Sequence, residues 1–410
     1  MTKPRCLVLT PRVPWPQDDG GAVGLWRDLM AVTGAFETRL LTLQITAAPP
    51  PPVPAALETL GVRVRFVPHR LPPLPLAILR GTLGRWPHTL ARFRSPAFDR
   101  EVRSTMDAWQ PEIVFIHHLH MATYVDAMGG ATKVLRQHNL EQLFLARFAD
   151  ATRNPAVRGY ARLQALRMRS AEVELCRAMS LILAMHEEEA QAMRAFAPGV
   201  RVEAIPVGAP FVELGRRARW PEPTLLVVGS FDREANAEGA KTFLEQGWPR
   251  VRSKMPLARL RIVGRGIAPP LAALALAAGA EPVGFVPDLE PELARAWGMV
   301  VPLWYGSGMR VKTVEAMAAG LPVACTPLGA EGLGLEAGRH YVEARTAAEL
   351  GTAALALLGE PERAAARAAA AHEALRPTHA LERRARRIVQ LCEEARARAG
   401  RPHAGGESPA

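Results

Sequence analysis

The sequence contains few cysteines, and none of them are close to each other. Four occur in 410 residues, at Cys6, Cys176, Cys325 and Cys392. Metal-binding and redox motifs place two cysteines within a few residues of each other. The observed spacing therefore argues against a metal cluster or a redox pair. We expect four free thiols in a reducing cytoplasm.

Long apolar runs are also absent from the sequence. The stretch LAALALAAGA at 271–280 is too short for the about 20 residues of a membrane-spanning helix, and we interpret it as a buried core helix. At the N-terminus, Lys3 and Arg5 precede a short strand-like run and two prolines, which is not the pattern of a signal peptide. These features predict a cytoplasmic protein.

Aromatic residues are sparse, at 6% of the chain, and acidic residues are outnumbered by basic ones. The formal net charge is +11. Such a charge favours an anionic partner, which can be a phosphorylated ligand, an anionic membrane or a nucleic acid. The length of 410 residues exceeds what one hydrophobic core usually organises, so two domains are expected.

Strand-like and helix-like patterns alternate along the chain. The predicted strands are 6–10, 38–45, 62–68, 112–117, 132–138, 181–185, 224–230, 258–264, 281–286, 299–303 and 322–326. This alternation predicts two α/β domains, each with a parallel sheet covered on both faces by helices. The predicted domains are 1–208 and 223–380, joined by a linker at 209–222 and followed by a helix at 381–399 and a disordered tail at 400–410.

The most informative segment is PLWYGSGMRVKTVEAMAAGLPVACT at 302–326. A glycine-rich loop that enters a helix can direct backbone N–H groups at an anion, and Arg310 and Lys312 add positive charge there. Glu315 follows Lys312 by three residues and so lies on about the same helix face. This combination suits a sugar nucleotide, with cations for its phosphates and a carboxylate for its ribose hydroxyls.

Several longer runs match one known family in order and spacing. They are VVGSFDREANAEGAKTFLEQGWPRV, LRIVGRG and GFVPDLEPELARAWGMVVPLWYGSGMRVKTVEAMAAGLPVACTPLGAEGL, with looser matches in PRVPWPQDDGGAVGLW, EIVFIHHLH and RQHNLEQL. On these runs the chain resembles the family 4 glycosyltransferases of the GT-B fold. The resemblance implies two Rossmann-like domains facing across a cleft. It also implies that the donor binds mainly to the C-terminal domain, the acceptor mainly to the N-terminal one, and that the last helix crosses back to the first domain.

The resemblance implies transfer of a sugar from a nucleotide-diphosphate donor, with UDP- or GDP-sugar expected, to an acceptor hydroxyl. Such acceptors are glycans, lipid-linked sugars or small molecules, as in bacterial polysaccharide biosynthesis. Transfer with retention and without a metal ion or other cofactor is implied as well. The sequence agrees in having no Asp-x-Asp motif and no Cys/His metal spacing.

The resemblance also implies roles for single residues of this sequence on the donor side. Arg310 and Lys312 are expected to be catalytic by gripping the diphosphate. The other donor-binding candidates are Gly21, beside Gly20, and Gly229, Asn236, Gly284, Phe285, Ser307, Gly308, Met309 and Glu315. Two departures from the family are visible. The loop SFDREANAEG has Arg233 but no early lysine, so Arg310 and Lys312 are expected to take over its role, and Ser307 stands where many relatives carry a glutamate.

Three histidines end the predicted strand at 112–117, on the edge that faces the ligand in parallel sheets. The resemblance selects His117 as catalytic, near the transferred sugar, with His118 and His120 as alternatives on the acceptor side. His138 and Asn139 end the next predicted strand, and they either line the acceptor side or cap the following helix. A structural role for any one histidine is an open alternative, and a metal site built from all three is a less favoured one.

A basic segment at 69–105 interleaves arginines with apolar and aromatic residues. Its arginines are Arg70, Arg80, Arg85, Arg92, Arg94, Arg100 and Arg103. This composition suits peripheral attachment to an anionic membrane at its inner face, and equally a solvated basic face. Nucleic-acid binding is less favoured because no recognition motif is present. For the whole protein, the alternatives to a transferase are a GT-B epimerase and a non-catalytic sugar-nucleotide-binding assembly protein.

Overall fold

Two parallel β-sheets organise the chain into two compact units. The computed structural model describes residues 3–45, 48–215, 218–305 and 310–399. The first unit consists of the described residues within Met1–Trp15, Leu25–Pro206 and Ala385–Ala410. The second consists of those within Pro16–Gly24 and Val207–Arg384.

The sheet of the first unit has seven strands in the order β3-β2-β1-β4-β5-β6-β7, and every neighbouring pair is parallel. The strands are β1 Arg5–Thr10, β2 Glu37–Gln44, β3 Arg63–Pro68, β4 Ile113–His117, β5 Thr132–Arg136, β6 Leu181–Ala184 and β7 Arg201–Ala204. Alternate side chains of β1 face opposite layers of the core. Leu7 and Leu9 enter one layer, and Cys6 and Val8 enter the other.

Helices cover both faces of this sheet. They are α1 Gly20–Ala35, α2 Ala55–Thr59, α3 Leu74–Leu83, α4 His88–Ala91, α5 Pro96–Trp109, α6 His118–Ala122, α7 Glu141–Ala151, α8 Pro155–Arg177 and α9 Glu187–Phe196. The segment between β5 and β6 forms two helices, α7 and α8, that pack along each other. The break between them follows from sequence, because Asn154 caps α8 through its side chain and Pro155 occupies the first turn.

The sheet of the second unit has six strands in the order β10-β9-β8-β11-β12-β13, again all parallel. The strands are β8 Thr224–Val228, β9 Arg259–Val263, β10 Glu281–Gly284, β11 Gly298–Val301, β12 Val323–Cys325 and β13 Val342–Glu343. Leu225 and Val227 face one core layer, while Leu226 faces the other. The predicted fold class, two Rossmann-like α/β domains, is thereby confirmed.

The helices of the second unit complete the two layers around its sheet. They are α10 Glu234–Thr242, α11 Trp248–Lys254, α12 Pro269–Ala277, α13 Glu290–Arg295, α14 Val311–Ala318, α15 Ala347–Gly359 and α16 Pro361–His379. A π-helical turn, Phe243–Gly247, joins α10 to α11. The interpretation of 271–280 as a core helix is confirmed for one face only, since Leu271 and Ala275 of α12 belong to the core of the second unit. Only Leu271 and Ala275 of α12 are buried, and Leu276 lies 65% exposed.

The last helix, α17 Leu381–Ala399, packs on the first unit. Its Ile388, Leu391 and Cys392 are fully buried in the same core layer as Cys6 and Val8 of β1. This agrees with the crossover helix that the family resemblance implies. The predicted tail at 400–410 lies outside the described residues.

Residues 209–222, predicted as a linker, are anchored by backbone hydrogen bonds within the second unit. The N–H groups of Ala209, Val212 and Trp220 donate to the carbonyls of His379, Ala318 and Arg295. The chain therefore enters the second unit at Val207, before the predicted linker. In the part of the chain that the structure describes, no helix combines the length and the apolar character needed to cross a membrane.

Candidate functional site

The second sheet has a topological switch point between β8 and β11. From β8 the chain proceeds outward to β9 and β10, whereas β11 is followed by β12 and β13 on the other side. In open parallel sheets, ligands bind outside the carboxyl ends of the strands at such a point. A ligand site is therefore expected among the residues that follow β8 and β11. Most of the predicted donor-side residues belong to these two segments.

Lys312 lies at this switch point, in the first turn of α14. Its ammonium group donates to the side-chain carbonyl of Asn236, at 2.7 Å. The amide of Asn236 in turn donates to the backbone carbonyl of Ser230, at 2.9 Å. Desolvation, with a smaller contribution from nearby Arg310, lowers the pKa of Lys312 to about 8. Among the residues that the structure describes, this cation pairs with the neutral Asn236 and with no carboxylate, which favours binding of a negatively charged ligand.

Gly229, directly after β8, leaves room for this lysine. A Cβ atom at Gly229 would lie 3.3 Å from the Lys312 ammonium nitrogen and 3.2 Å from Cγ of Asn236. On the next strand, Gly264 has φ 141°, and a Cβ there would lie 1.8 Å from the carbonyl oxygen of Gly229. The ends of β8 and β9 therefore approach each other through backbone alone, which only glycine permits.

Arg310 is the residue that caps α14, and it is buried. Its guanidinium donates to the carboxylate of Glu331, at 2.7 Å. The hydroxyl of Thr313 donates to the carbonyl of Gly329, at 2.8 Å, and this bond fixes α14 against the segment that carries Glu331. Arg310 and Lys312, predicted together from sequence, thus both lie at the start of α14 but have different partners. Sequence reasoning missed Glu331, although it stands inside the run EGL of the matching segment.

Arg265 forms a second charged cluster in this unit, and it was not predicted. Its guanidinium contacts the carboxylates of Asp18, Asp19 and Asp232 at 3.2, 3.1 and 3.0 Å. Asp19 also accepts from the backbone N–H of Ala22, in the first turn of α1. The cluster therefore ties the loop before α1 to the loops that follow β8 and β9.

The same loop carries the predicted Gly20 and Gly21. A Cβ at Gly20 would lie 3.1 Å from a methyl carbon of Val311, so this backbone lies against the start of α14. The structure thereby brings the glycine pair to the same region as Lys312. The only sequence signal for the Arg265 cluster was the charge of its members, and Asp18 and Asp19 lie more than 200 residues before Asp232 and Arg265.

Of the remaining donor-side candidates, the structure describes Glu315, Gly284 and Phe285. Glu315 is half-buried on α14, and Gly284 ends β10 with φ 83°, followed by an exposed Phe285. Ser307, Gly308 and Met309 lie outside the described residues. The structure therefore places the ends of the glycine-rich segment, but the predicted backbone contacts of its middle stay a prediction.

In the first unit, the predicted histidines take different environments. His117 is the last residue of β4 and is fully buried, with Nδ1 3.5 Å from Nε2 of His138. His118 has φ 64°, in the left-handed region that residues other than glycine rarely adopt, and its ring stacks on that of His138 at 3.8 Å. His120 contacts the ring of Phe93 at 4.5 Å between centroids. A catalytic role for His117 stays a prediction.

Burial keeps two of these histidines neutral. Desolvation lowers the pKa of His120 to about 4 and that of His118 well below its usual range, and neighbouring cations act on His118 in the same direction. Neither ring is a cation near pH 7. Each can therefore accept or donate a single hydrogen bond there.

Asp28, His117 and His138 place one ligand atom each within 4.8 Å of one another, and all three are buried. A metal ion between them would lie next to the buried guanidinium of Arg136, which contacts the Asp28 carboxylate at 3.2 Å. The positive charge that this carboxylate needs is thus already supplied by an arginine. The arrangement fits an internal ion pair with its histidine neighbours better than a metal site.

The alternative that Asn139 caps the helix after β5 is wrong. The backbone N–H groups of Glu141 and Gln142, at the start of α7, donate to the Glu172 carboxylate of α8 instead, at 3.1 and 3.3 Å. Glu172 also accepts from the side chain of Gln137, at 2.9 Å. A buried carboxylate that neutralises a helix start can replace the side-chain cap. Asn139 itself is half-buried, and an acceptor-side role for it stays a prediction.

Glu172 belongs to a buried acidic group that sequence reasoning missed. Desolvation, followed by repulsion from Glu172 and Glu189, raises the pKa of Glu141 to about 8. Desolvation raises the pKa of Glu172 to about 7 and also raises that of Glu189. The first unit therefore holds carboxyl groups that are partly protonated near pH 7.

Residues 222–360 match the family of glycosyl transferases group 1. This range contains Gly229, Asn236, Arg310, Lys312 and Glu331. No curated protein matches the chain by sequence. The family match and the site around Lys312 therefore lie in the same unit.

Solved structures share the fold over the whole described chain. One is sucrose-phosphate synthase from Thermosynechococcus elongatus, at 17% identity over 96% of this chain and 100% of that chain, with a TM-score of 0.70. Another is HepE from Anabaena in complex with UDP and glucose, at 13% identity over 95% and 99%, with a TM-score of 0.66. A third is an α,α-trehalose 6-phosphate synthase from Burkholderia multivorans, at 14% identity over 99% and 100%, with a TM-score of 0.64. The chain therefore has the two-domain GT-B fold of these structures, and its second unit carries a glycosyl transferases group 1 domain.

Proposed function

We propose that the protein transfers a hexose from a nucleotide-diphosphate sugar to an acceptor hydroxyl, with retention at the anomeric carbon and without a metal ion. The observation that carries this proposal is Lys312 at the topological switch point, a desolvated cation whose partner is the neutral side chain of Asn236. A diphosphate supplies the negative charge that this position lacks. Arg310, the N-cap residue of α14, supplies a second cation.

The two cations act on the leaving group. As the glycosidic bond to the donor breaks, negative charge accumulates on the diphosphate, and Lys312 and Arg310 stabilise it more in the transition state than before. For Arg310 this means exchanging the Glu331 carboxylate for a phosphate oxygen. The first N–H groups of α14 add the positive end of a helix dipole on the same side.

Retention follows if the acceptor hydroxyl attacks the same face that the diphosphate leaves. The departing phosphate oxygen then takes the proton of that hydroxyl, so no carboxylate pair of the glycosidase kind is required. The bond from the anomeric carbon to the phosphate oxygen breaks, the bond to the acceptor oxygen forms, and the proton ends on the nucleoside diphosphate. Two protein cations supply the charge stabilisation that a divalent ion supplies in other transferases.

A UDP-sugar is the donor that the similar structures favour. HepE from Anabaena is described in complex with UDP-glucose, and the trehalose-phosphate synthase from Burkholderia vietnamiensis is described as UDP-forming. These similarities are at 14% and 13% identity, so they show the fold and support the donor only as a proposal. Gly284 and Phe285 are the candidates for contact with the base, as the predicted donor side requires.

The first unit supplies the acceptor side in this proposal. His118 is better suited than His117 to contact a sugar, because His117 is fully buried whereas His118 keeps part of its surface exposed. The strained backbone of His118 is a second reason, since such strain is retained at functional positions. A neutral imidazole there orients a hydroxyl by a hydrogen bond without removing its proton.

The proposal is tested by a thermal-shift screen with UDP-, GDP-, TDP- and ADP-sugars, followed by product analysis. A donor that binds only the folded protein raises the melting temperature, by an amount that grows with its concentration. We expect UDP-sugars to give the largest shift and to release UDP when a hydroxyl acceptor is present. An epimerised sugar formed from the donor alone would instead show an epimerase. A stable donor complex without hydrolysis or transfer across an acceptor panel would show a non-catalytic binding protein.

A further inference from the structure

Helix α3 directs its large apolar side chains outward. Of its ten residues, only Ala77 and Gly81 are buried. Leu74, Leu79 and Leu83 are 61%, 54% and 78% exposed, and Leu76 and Ile78 are exposed too. A helix of a water-soluble surface normally buries its leucines and exposes its small or polar residues. This helix has the opposite orientation.

The outward orientation of α3 is fixed by its neighbours. A Cβ at Gly81 would lie 2.4 Å from Cα of His88, so the backbones of α3 and α4 are in contact. Gln164, buried on α8, donates to the carbonyl of Gly81 at 3.2 Å and accepts from the N–H of His88 at 2.8 Å. Rotating α3 to bury its leucines would break the hydrogen bond to the Gly81 carbonyl and this close contact.

A basic recess of about 800 Å³ lies beside the exposed leucines. Arg80, Arg85, Arg94 and Arg100 contribute to its lining, and α5 begins at its edge with the N-cap Ser95. Among the described residues, Arg80 and Arg100 have no carboxylate partner, and both are exposed. The positive end of the α5 dipole adds to the potential of these side chains.

We propose that α3 and this recess form a docking surface for an anionic lipid bilayer. The leucines enter the boundary between headgroups and acyl chains, and Arg80 and Arg100 contact lipid phosphates. Charge complementarity identifies the partner, because the segment 69–105 carries seven arginines against the two acidic residues Asp99 and Glu101. A solvated basic face accounts for the arginines but leaves the exposed leucines without a role. A nucleic-acid surface would present polar and aromatic side chains between its cations instead.

The test is co-sedimentation of the full chain with vesicles of phosphatidylcholine alone or mixed with phosphatidylglycerol, at low and physiological salt. We expect binding to the anionic vesicles that weakens with salt. L79S/L83S and R80E/R100E should each lower the partition coefficient at least about tenfold, because both apolar insertion and charge contribute. The matched control is L257S/L276S, which changes two leucines of the second unit that are 77% and 65% exposed. This control should bind like the unchanged protein.

Three results would overturn the proposal. The first is no binding to anionic vesicles at low salt. The second is binding that neither double variant weakens while circular dichroism shows all variants folded. The third is a dimer, detected by analytical ultracentrifugation without lipid, that L79S/L83S converts to a monomer, since a second copy of the chain would then be the occupant of α3. Activity is not needed for any of these readouts, so the outcome is independent of the proposed transfer reaction.

Discussion

At the scale of single residues, the chemistry of this protein centres on the charge of Lys312. The lysine is held by Asn236 and has its pKa lowered to about 8 mainly by desolvation. A buried cation costs free energy in the empty site and regains it when an anion arrives. The site is therefore prepared for a charged ligand before that ligand binds.

A pH dependence of ligand binding follows from this lysine. At pH 7 the free enzyme holds Lys312 mostly protonated, whereas at pH 9 only about a tenth of it is protonated, given a pKa of about 8. A bound diphosphate raises the pKa, so binding takes up a proton at pH 9. We expect the affinity for UDP to fall about tenfold from pH 7 to pH 9, measured by isothermal titration calorimetry. K312R, which stays charged, should lose this dependence, and an equally steep loss in K312R would contradict the assignment.

Glu331 is expected to compete with the ligand for Arg310. The two side chains are paired at 2.7 Å, and Glu331 is 43% exposed in its side chain, so the pair is a weak one. E331Q removes the competing charge and should raise the affinity for UDP up to about fivefold. E336Q is the matched control, since Glu336 pairs with Arg339 instead. A lower affinity in E331Q would show that Glu331 orients Arg310 rather than competing for it.

At the scale of secondary-structure elements, the ends of β8 and β9 depend on glycine. Gly264 and Gly284 both have positive φ, but a Cβ at Gly264 would lie 1.8 Å from the Gly229 carbonyl, whereas a Cβ at Gly284 meets nothing within 4 Å. G284A therefore tests the backbone strain alone, at a cost of about 1–2 kcal/mol. G264A adds a steric clash and should cost about 3 kcal/mol or more.

Guanidinium unfolding of the two glycine variants measures the difference. G264A should also weaken UDP binding, because relieving the clash displaces Gly229 next to Lys312 and Asn236. Equal destabilisation by the two substitutions would show that the backbone contact between β8 and β9 does not constrain the site.

The elements also show what the sequence could predict. Strands with a run of four or more apolar residues, such as Ile113–His117 and Thr224–Val228, were found because burial on both faces leaves a continuous apolar run. The strands Arg201–Ala204 and Val342–Glu343 were missed because they are short and lie at the edges of their sheets. Edge strands are less buried, so their sequences carry no continuous apolar run. The apolar run at 271–280 suggested more burial than α12 has. Alanine favours a helix whether or not it is buried, so an alanine-rich run does not by itself indicate a buried helix.

The residues of the candidate site could be predicted only in part from the sequence. Arg310, Lys312 and Asn236 were found because they belong to runs that match a family in order and spacing. The contacts of Arg265 with Asp18 and Asp19 could not be predicted, since they join residues that only the folded chain brings together. The acidic group around Glu172 was missed for the same reason, because its members look like surface residues of three separate helices.

At the scale of the whole molecule, the buried carboxyls make the stability of the first unit depend on pH. The pKa of Glu141 is raised from 4.5 to about 8 in the folded protein. A carboxyl whose folded pKa lies above its unfolded pKa stabilises the fold least at high pH, because the unfolded state binds fewer protons in that window. The contribution of Glu141 should therefore be lost as the pH rises from about 4.5 to about 8.

E141Q is the variant that checks this dependence, by chemical unfolding at pH 6 and pH 8.5. The amide keeps the shape and removes the charge, so E141Q should be more stable than the unchanged protein at pH 8.5 and differ little at pH 6. D107N, at an exposed aspartate of the same unit, serves as a control that should change neither value by more than about 0.5 kcal/mol. A stability loss in E141Q at pH 8.5 would mean that the ionised carboxylate is needed.

The affinity for UDP at pH 7, measured by calorimetry, decides whether Lys312 binds the diphosphate of a nucleotide sugar. Three proteins are compared: the unchanged chain, K312A, and K241A, in which a half-exposed lysine of α10 is removed as a matched loss of one charge. We expect K312A to bind UDP at least about thirtyfold more weakly, since a desolvated charge-assisted contact is lost, and K241A to bind UDP like the unchanged protein. Equal affinities of K312A and K241A for UDP would contradict this role of Lys312.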